Sequence, residues 1–110
     1  MEDKVKESVD YMKAQAPKYN GTWALDGEDG GCLIGELKGL VSEGLLKETT
    51  YLDLGIFKYP DEADDHKYLH VFENETYKFL CVDSKEVIVY PGGTCSSGTV
   101  ELYETPKGEN

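Results

Sequence analysis

The strongest constraint on the fold is a change in the spacing of apolar residues near residue 50. Before that point, apolar side chains recur every three or four positions, as on one face of an α-helix. After it, runs rich in Tyr, Val, Ile and Phe are separated by turn-forming residues, a pattern typical of β-strands. The sequence therefore predicts an α+β fold in which helices come first and an antiparallel sheet follows.

Two amphipathic helices are predicted, over residues 1–16 and 32–48. The apolar stripe of the first helix consists of Val5, Val9, Met12 and Ala16, and the helix ends before Pro17. That of the second consists of Leu33, Leu37, Leu40, Val41 and Leu45. Residues 17–31 between them are rich in Gly, Asn and Asp, so this stretch is predicted to be a loop.

The remainder, residues 50–104, is predicted to form an antiparallel meander of four or five strands. The strand-like runs are residues 51–59, 68–73, 77–82, 86–90 and 99–103. Asn74 and Glu75 are predicted to turn the chain between the second and third runs, and Asp83-Ser84-Lys85 between the third and fourth. Such short connections allow only antiparallel neighbours. A chain of 110 residues is expected to form a single domain, residues 1–110.

The net charge of the chain limits the classes of partner that it can bind. Twenty-two acidic residues against eleven basic ones give a net charge of −11. Such a charge repels the phosphates of nucleic acids and of anionic lipids, so no nucleic-acid partner is predicted. The sequence also contains no apolar run of the roughly 18–20 residues that a membrane-spanning helix needs.

The segment that joins the helices to the sheet carries a family resemblance. It begins NGTW, at Asn20, Gly21, Thr22 and Trp23. It then matches the helical pattern L-x-x-L-V-x-x-G-x-L-K at Leu37, Leu40, Val41, Gly44, Leu46 and Lys47. The segment resembles the helix-to-sheet connection of type IV pilins and of the pseudopilins of secretion systems.

The resemblance implies a structural and non-catalytic function. The chain would be the globular domain of a major or minor pilin, or of a pseudopilin, in an extracellular filament or a secretion pseudopilus. Its partners would be other pilin subunits, contacted through an apolar N-terminal helix that this sequence lacks. That helix would anchor the subunit in the inner membrane before assembly at the cell surface. Without it, the chain is expected to be monomeric.

The resemblance also implies a disulfide, because pilin-like proteins commonly pin a C-terminal loop to the sheet. Cys95 lies in the glycine-rich stretch 91–98, and Cys81 lies in a predicted strand. A bridge between them would close a ring of about 15 residues and stabilise the fold by roughly 3 kcal/mol. Cys32 would then be unpaired and buried at the start of the second helix. The alternative is three reduced thiols in a cytosolic protein, since an odd cysteine count is poor evidence for a disulfide framework.

No catalytic residues, metal ligands or cofactors are predicted. The acidic stretch of Asp26, Glu28 and Asp29 lacks the ligand spacing of a calcium loop. The three cysteines, with His66 or His70, lack the Cys-x-x-Cys spacing of zinc sites.

Two other functions fit parts of the sequence. A small acidic intracellular inhibitor would present its carboxylates in place of nucleic-acid phosphates and bind a basic protein. A winged-helix DNA-binding domain would also place strands after the helix of residues 37–47, although a basic recognition face is missing.

Overall fold

The computed structural model of the chain describes residues 2–16, 18–19, 22–61, 63–86 and 96–104. Within these residues, two helices and six strands are present, and the strands form one antiparallel sheet in the order β1-β2-β6-β5-β4-β3. The elements are α1 (Glu2–Gln15), β1 (Lys18–Tyr19), β2 (Thr22–Leu25), α2 (Gly27–Ser42), β3 (Lys47–Phe57), β4 (Asp65–Glu73), β5 (Tyr77–Glu86) and β6 (Ser96–Glu104). The predicted α+β class is confirmed, with β3 to β6 forming an antiparallel meander after α2.

The first helix follows the prediction closely. Its apolar stripe, from Val5 through Val9 and Met12 to Ala16, is buried. The polar face makes ion pairs with the rest of the molecule, from Lys4 to Glu43 at 2.7 Å and from Lys13 to Glu104 at 2.8 Å. No helix in the described part of the chain is both long and apolar enough to cross a membrane.

The prediction that residues 17–31 form a loop is wrong. It contains β1, β2 and the first turn of α2, which begins at Gly27 instead of Cys32. Its acidic residues explain the early start, because Glu28 and Asp29 lie in the first turn, where the helix dipole favours negative charge. Glycines made this stretch look like a loop, but one of them, Gly30, is needed for packing, as shown below.

The second helix also ends earlier than predicted, at Ser42 instead of residue 48. Gly44 adopts φ +81°, a left-handed conformation that favours glycine. Its N–H donates to the carbonyl of Val41 at 3.0 Å, and the N–H of Leu45 donates to that of Leu40 at 2.9 Å. These two bonds form a Schellman motif, which ends the helix and frees the following residues to enter β3.

One of the two predicted turns in the sheet is confirmed. Asn74 turns the chain between β4 and β5, because its side-chain oxygen accepts hydrogen bonds from the N–H groups of Thr76 and Tyr77, both at 2.8 Å. The predicted turn at residues 83–85 is wrong. These residues continue β5 and pair with β4 and β6, so backbone pairing on both sides outweighs their preference for turns. Of the predicted strand 86–90, Glu86 ends β5 and the rest lies outside the described residues.

The two faces of the sheet differ. Residues paired across antiparallel strands share a face, as do alternate residues along each strand. Both helices pack on the face that carries Phe72, Phe79, Cys81, Val100 and Leu102, called here the helix-covered face. The opposite, open face carries Leu69, Val71, Leu80 and Val82. The core is therefore one layer between the helices and the sheet.

Glycines allow a close contact between the two layers. A Cβ atom added to Gly30 of α2 would clash with the carbonyl oxygen of Gly98 in β6. A Cβ atom added to Gly98 would lie 2.5 Å from Cδ1 of Ile34. Backbone therefore meets backbone where α2 crosses β6, and any larger residue would force the helix away from the sheet.

Alanine substitutions in α2 are expected to have opposite effects at two glycines. Gly30→Ala should lower the free energy of unfolding by about 1–3 kcal/mol, the usual cost of overpacking. Gly35→Ala should raise it by up to about 1 kcal/mol, because Gly35 has open space around it and alanine has the higher helix propensity. Urea denaturation of both variants measures the difference. Equal effects would show that α2 does not approach β6 this closely.

Candidate functional site

Of the two cysteines predicted to form a disulfide, the structure places one. Cys81 lies in the middle of β5, fully buried, and burial raises the pKa of its thiol to about 12. Cys95 lies outside the described residues, so the bridge stays a prediction. Within the described part of the chain, no disulfide joins Cys32 to Cys81.

The register of β5 and β6 sets what that bridge would require. Ser96, the neighbour of Cys95, pairs with Lys85, four positions beyond Cys81. Four strand residues span about 13 Å, which is the distance along β5 from Cys81 to Lys85. The Cα atoms of Cys95 and Ser96, as chain neighbours, are about 3.8 Å apart. A disulfide needs the Cα atoms of its two cysteines to lie within about 7 Å of each other. A Cys81–Cys95 bridge would therefore require Ser96 to leave its pairing with Lys85.

Cys32 does not occupy the position predicted for it. It lies within α2 rather than at its start, and it is exposed rather than buried. The prediction was wrong because it placed the start of the helix at Cys32, whereas α2 begins at Gly27.

The most exposed apolar part of the described chain is β3, the outer strand of the sheet. Among the strands of the described residues, β3 pairs with β4 alone. The apolar side chains that remain at least two-fifths exposed along it are Tyr51, Leu52, Leu54, Ile56 and Phe57. A long apolar edge strand of this kind is a candidate interaction surface, because it offers exposed apolar side chains and backbone groups to a partner.

On the helix-covered face, β3 and β4 carry a ladder of aromatic rings. The ring of Tyr51 is stacked on that of Tyr68 with centroids 6.2 Å apart and lies 4.9 Å from that of His70. His66 continues the ladder, 4.4 Å from Tyr68. At the inner end, His70 stacks on buried Phe72 at 5.4 Å, so the ladder extends from the core to the edge of the sheet.

Two carboxylates of β3 hold the histidines of this ladder. Glu48 lies 2.8 Å from Nδ1 of His70, which is itself buried, and Asp53 lies 2.7 Å from Nε2 of His66. The sequence placed His70 in a predicted strand and His66 before that strand, but their pairing with carboxylates of β3 was not predicted.

Asp53 accepts a second hydrogen bond that fixes the shape of the strand. The N–H of Gly55 donates to it at 2.8 Å, where an irregularity in the β3–β4 register places Gly55 at φ +86°. The hydrogen bond from His66, followed by that from Gly55, holds the pKa of the Asp53 carboxyl below its ordinary value of 3.8. Although more than half of the Asp53 side chain is exposed, both its oxygen and the bulge are held in place.

An open depression of about 220 Å³ lies between the aromatic ladder and α2. Lys38 of α2 reaches into it and pairs with Asp83 of β5 at 3.1 Å. The side chain of Asp83 is only 6% exposed, so Lys38 neutralises a buried carboxylate. The depression is lined by Lys38, Tyr51, Tyr68, His70, Asp83 and Lys85.

A second depression, about 520 Å³, lies where α2 leads into β3. Its apolar side is formed by Val41, Leu45 and Leu46, and its carboxylates are those of Glu48, Glu73 and Glu75. Asp61 and Asp64 follow the other end of β3, and Asp65 pairs with its last residue, Phe57. The apolar edge is therefore acidic at both ends, and residues 47–73 contain seven acidic against three basic residues.

The chemistry of this region is suited to binding. In the described part of the chain, no group of three or more His, Cys, Asp and Glu side chains is placed to hold a metal ion. The first acidic stretch in the sequence, Asp26 to Asp29, belongs to the start of α2. What β3 offers is an apolar strand edge, exposed rings and carboxylates.

Sequence reasoning missed this edge because apolar residues on both sides of a strand normally indicate a central, buried position. The run from Tyr51 to Phe57 has this composition, yet β3 is an outer strand. The available signal was a run of consecutive apolar residues with acidic residues beside it.

Comparison of the chain with models of known protein families, with curated proteins and with solved structures finds no match.

Thiol labelling should distinguish the two described cysteines. In a Cys95→Ser variant at pH 8, a thiol reagent should modify Cys32 within minutes and leave Cys81 unmodified, because Cys81 is buried and its pKa is near 12. Both should react in denaturant. Intact mass spectrometry counts the labels, and rapid double labelling of the folded protein would contradict the position of Cys81.

Removing the Asp53 carboxylate should change how stability depends on pH. Since the pKa of Asp53 is lower in the folded than in the unfolded state, its contribution is complete above pH 3.8 and is lost as the pH falls through the folded-state value. Urea denaturation at pH 5 and pH 3 should show a smaller loss of stability on acidification for Asp53→Asn than for the natural protein. An identical loss would show that the carboxylate is not held by His66 and Gly55.

Proposed function

We propose that the protein is a non-catalytic acidic binding protein whose partner is a basic protein. The observation that carries the proposal is the β3 edge, where exposed apolar side chains lie between two groups of carboxylates. This is the alternative function that the charge of the sequence suggested, with carboxylates in place of the phosphates of a nucleic acid.

The apolar side chains supply the binding energy in this proposal. Tyr51, Leu52 and Ile56 are each exposed by more than half. Covering apolar surface gains about 25 cal/mol per Å², and aromatic side chains are enriched at the centres of protein interfaces. A cluster of this kind on one strand favours contact with another protein over contact with a small solute.

The carboxylates determine the class of partner. The acidic excess at both ends of β3 attracts a basic surface, raises its association rate and opposes acidic partners. Much of this electrostatic attraction would be screened at high salt, because the Debye length falls from about 10 Å at 0.1 M to about 3 Å at 1 M. Binding should therefore be tight at low salt and weaken as salt is added.

A second candidate is the pilin-type subunit that the resemblance implied. It is supported by the matching residues between Asn20 and Lys47 and by the order of the elements, with α2 followed by the four-stranded meander β3 to β6. In this proposal the chain is a major or minor pilin, or a pseudopilin, at the cell surface. Its partners are other pilin subunits, and a further apolar helix anchors it in the inner membrane before assembly.

Affinity capture tests the first candidate. The immobilised protein is incubated with nuclease-treated extract of the source organism, and the retained proteins are eluted with increasing salt. Ile56→Lys is the test variant, because Ile56 lies on β3. Tyr103→Lys is the matched control. Tyr103 is also exposed, and its substitution adds the same charge on β6, three strands away from β3.

The proposal expects one basic protein that the natural chain and Tyr103→Lys retain and that Ile56→Lys retains at least tenfold less. That protein should then bind in purified form with a salt-dependent Kd. Basic proteins retained equally by all three chains would reflect net charge alone and would overturn the proposal.

The intact mass of the native protein tests the second candidate. Protein recovered from a sheared cell-surface fraction should be heavier than this chain by roughly 3 kDa, enough for an apolar span of about 20–30 residues. It should also gain two hydrogens on reduction if the Cys81–Cys95 bridge is present. Recovery only from cytosol, with three free thiols, would remove the pilin proposal.

A further inference from the structure

The backbone of β3 offers a place for one more strand. In an antiparallel sheet, alternate residues of an outer strand direct their N–H and C=O groups away from the neighbouring strand. Between its two irregularities, β3 keeps a regular register over residues 50–53, from Thr50 opposite Val71 to Asp53 opposite Tyr68. This stretch is about 13 Å long and extended, so it presents backbone groups that a further strand can pair with.

We propose that residues 50–53 of β3 bind an extended segment of the partner as an additional, edge strand of the sheet. The inference rests on the proposed function, because it takes a basic protein as the partner. Strand addition of this kind obtains affinity from backbone hydrogen bonds and specificity from alternate side chains.

The two faces of β3 determine the alternation of the incoming strand. Tyr51 and Asp53 lie on the helix-covered face, while Thr50 and Leu52 lie on the open face. Side chains of an added strand would alternate between the same two faces. The partner segment must therefore suit an aromatic and acidic surface on one side and an apolar surface on the other.

On the helix-covered face, the fitting side chains are lysine and arginine. The exposed ring of Tyr51 offers a cation–π contact, and the carboxylate of Asp53, 56% exposed, offers a charge-assisted hydrogen bond. Ammonium groups already lie over rings elsewhere in the molecule, with Lys13 and Lys18 each 4.6 Å from the ring centroid of Trp23. Of the two lysines that line the adjacent depression, Lys38 is paired with Asp83.

On the open face, the fitting side chains are apolar. Leu52 is 51% exposed and pairs with Leu69, which continues inward to Val82 on β5. An apolar residue beside Leu52 would extend this row and cover the exposed leucine. The inferred segment is thus a strand in which Lys or Arg alternates with Val, Ile or Leu.

The same charges disfavour pairing with a second copy of this chain. Two β3 strands side by side would bring together strands that carry the same acidic residues, among them Glu48 and Asp53. Like charges on neighbouring strands destabilise a sheet. The carboxylates of β3 would attract a basic strand, whereas they would repel the same carboxylates of a second copy.

Two synthetic peptides of eight residues test the inference. In one, Lys and Val alternate; in the other, the same residues are rearranged so that the four lysines are adjacent. The full chain is titrated with each peptide at 0.1 M salt, and the Kd is measured by calorimetry. Leu52→Lys is compared with Tyr103→Lys, which adds the same charge at a distant exposed position of β6.

The inference expects the alternating peptide to bind at least tenfold more tightly than the rearranged one, and Leu52→Lys to weaken it at least tenfold more than Tyr103→Lys. Of residues 50–53, those whose N–H groups point away from β4 should show slower amide hydrogen exchange when the alternating peptide is bound. Equal, salt-dependent binding of both peptides would overturn strand addition and leave the acidic binding function in place. Absence of binding by either peptide would also overturn it, whatever protein the capture experiment retains.

Discussion

The fold depends on the close approach of α2 to β6, where Gly30 meets the backbone of Gly98. Two glycines remove the side chains that would otherwise separate helix and strand, so the helix lies directly on the sheet. That contact brings Ile34 and Leu37 into the core and fixes α2 over the part of the sheet formed by β5 and β6. Because one helix of this length covers only a few strands, β3 lies beyond the helices, and its apolar side chains stay exposed.

The exposed edge is organised by polar contacts instead of packing. Asp53 and Glu48 hold His66 and His70, and these rings support the tyrosines that reach the edge of the sheet. The bulge at Gly55 is secured by the same carboxylate that pairs with His66. The structure therefore keeps an apolar strand in a defined shape while surrounding it with negative charge. That combination is the basis of the proposed binding to a basic partner.

Local sequence patterns predicted the parts of the fold that depend on local interactions. The helix of Val5, Val9 and Met12 and the turn at Asn74 were both predicted, since each depends on neighbours within four residues. The errors arose where distant residues decide the outcome. Glycine at position 30 was interpreted as part of a loop because its partner, Gly98, is far along the chain. Residues 83–85 were interpreted as a turn because their pairing with both β4 and β6 is tertiary.

The candidate site shows the same division. The sequence by itself determined the acidic charge, the apolar composition of residues 51–57 and the alternation that sets which side chains share a face. Only the tertiary structure decided that this strand lies at the edge of the sheet, because strand order depends on which backbone groups pair and not on the composition of any one strand. It also decided that the rings of Tyr51 and Tyr68 stack and that carboxylates of β3 hold the histidines of β4. These contacts join residues that are far apart in the chain, so no local pattern records them.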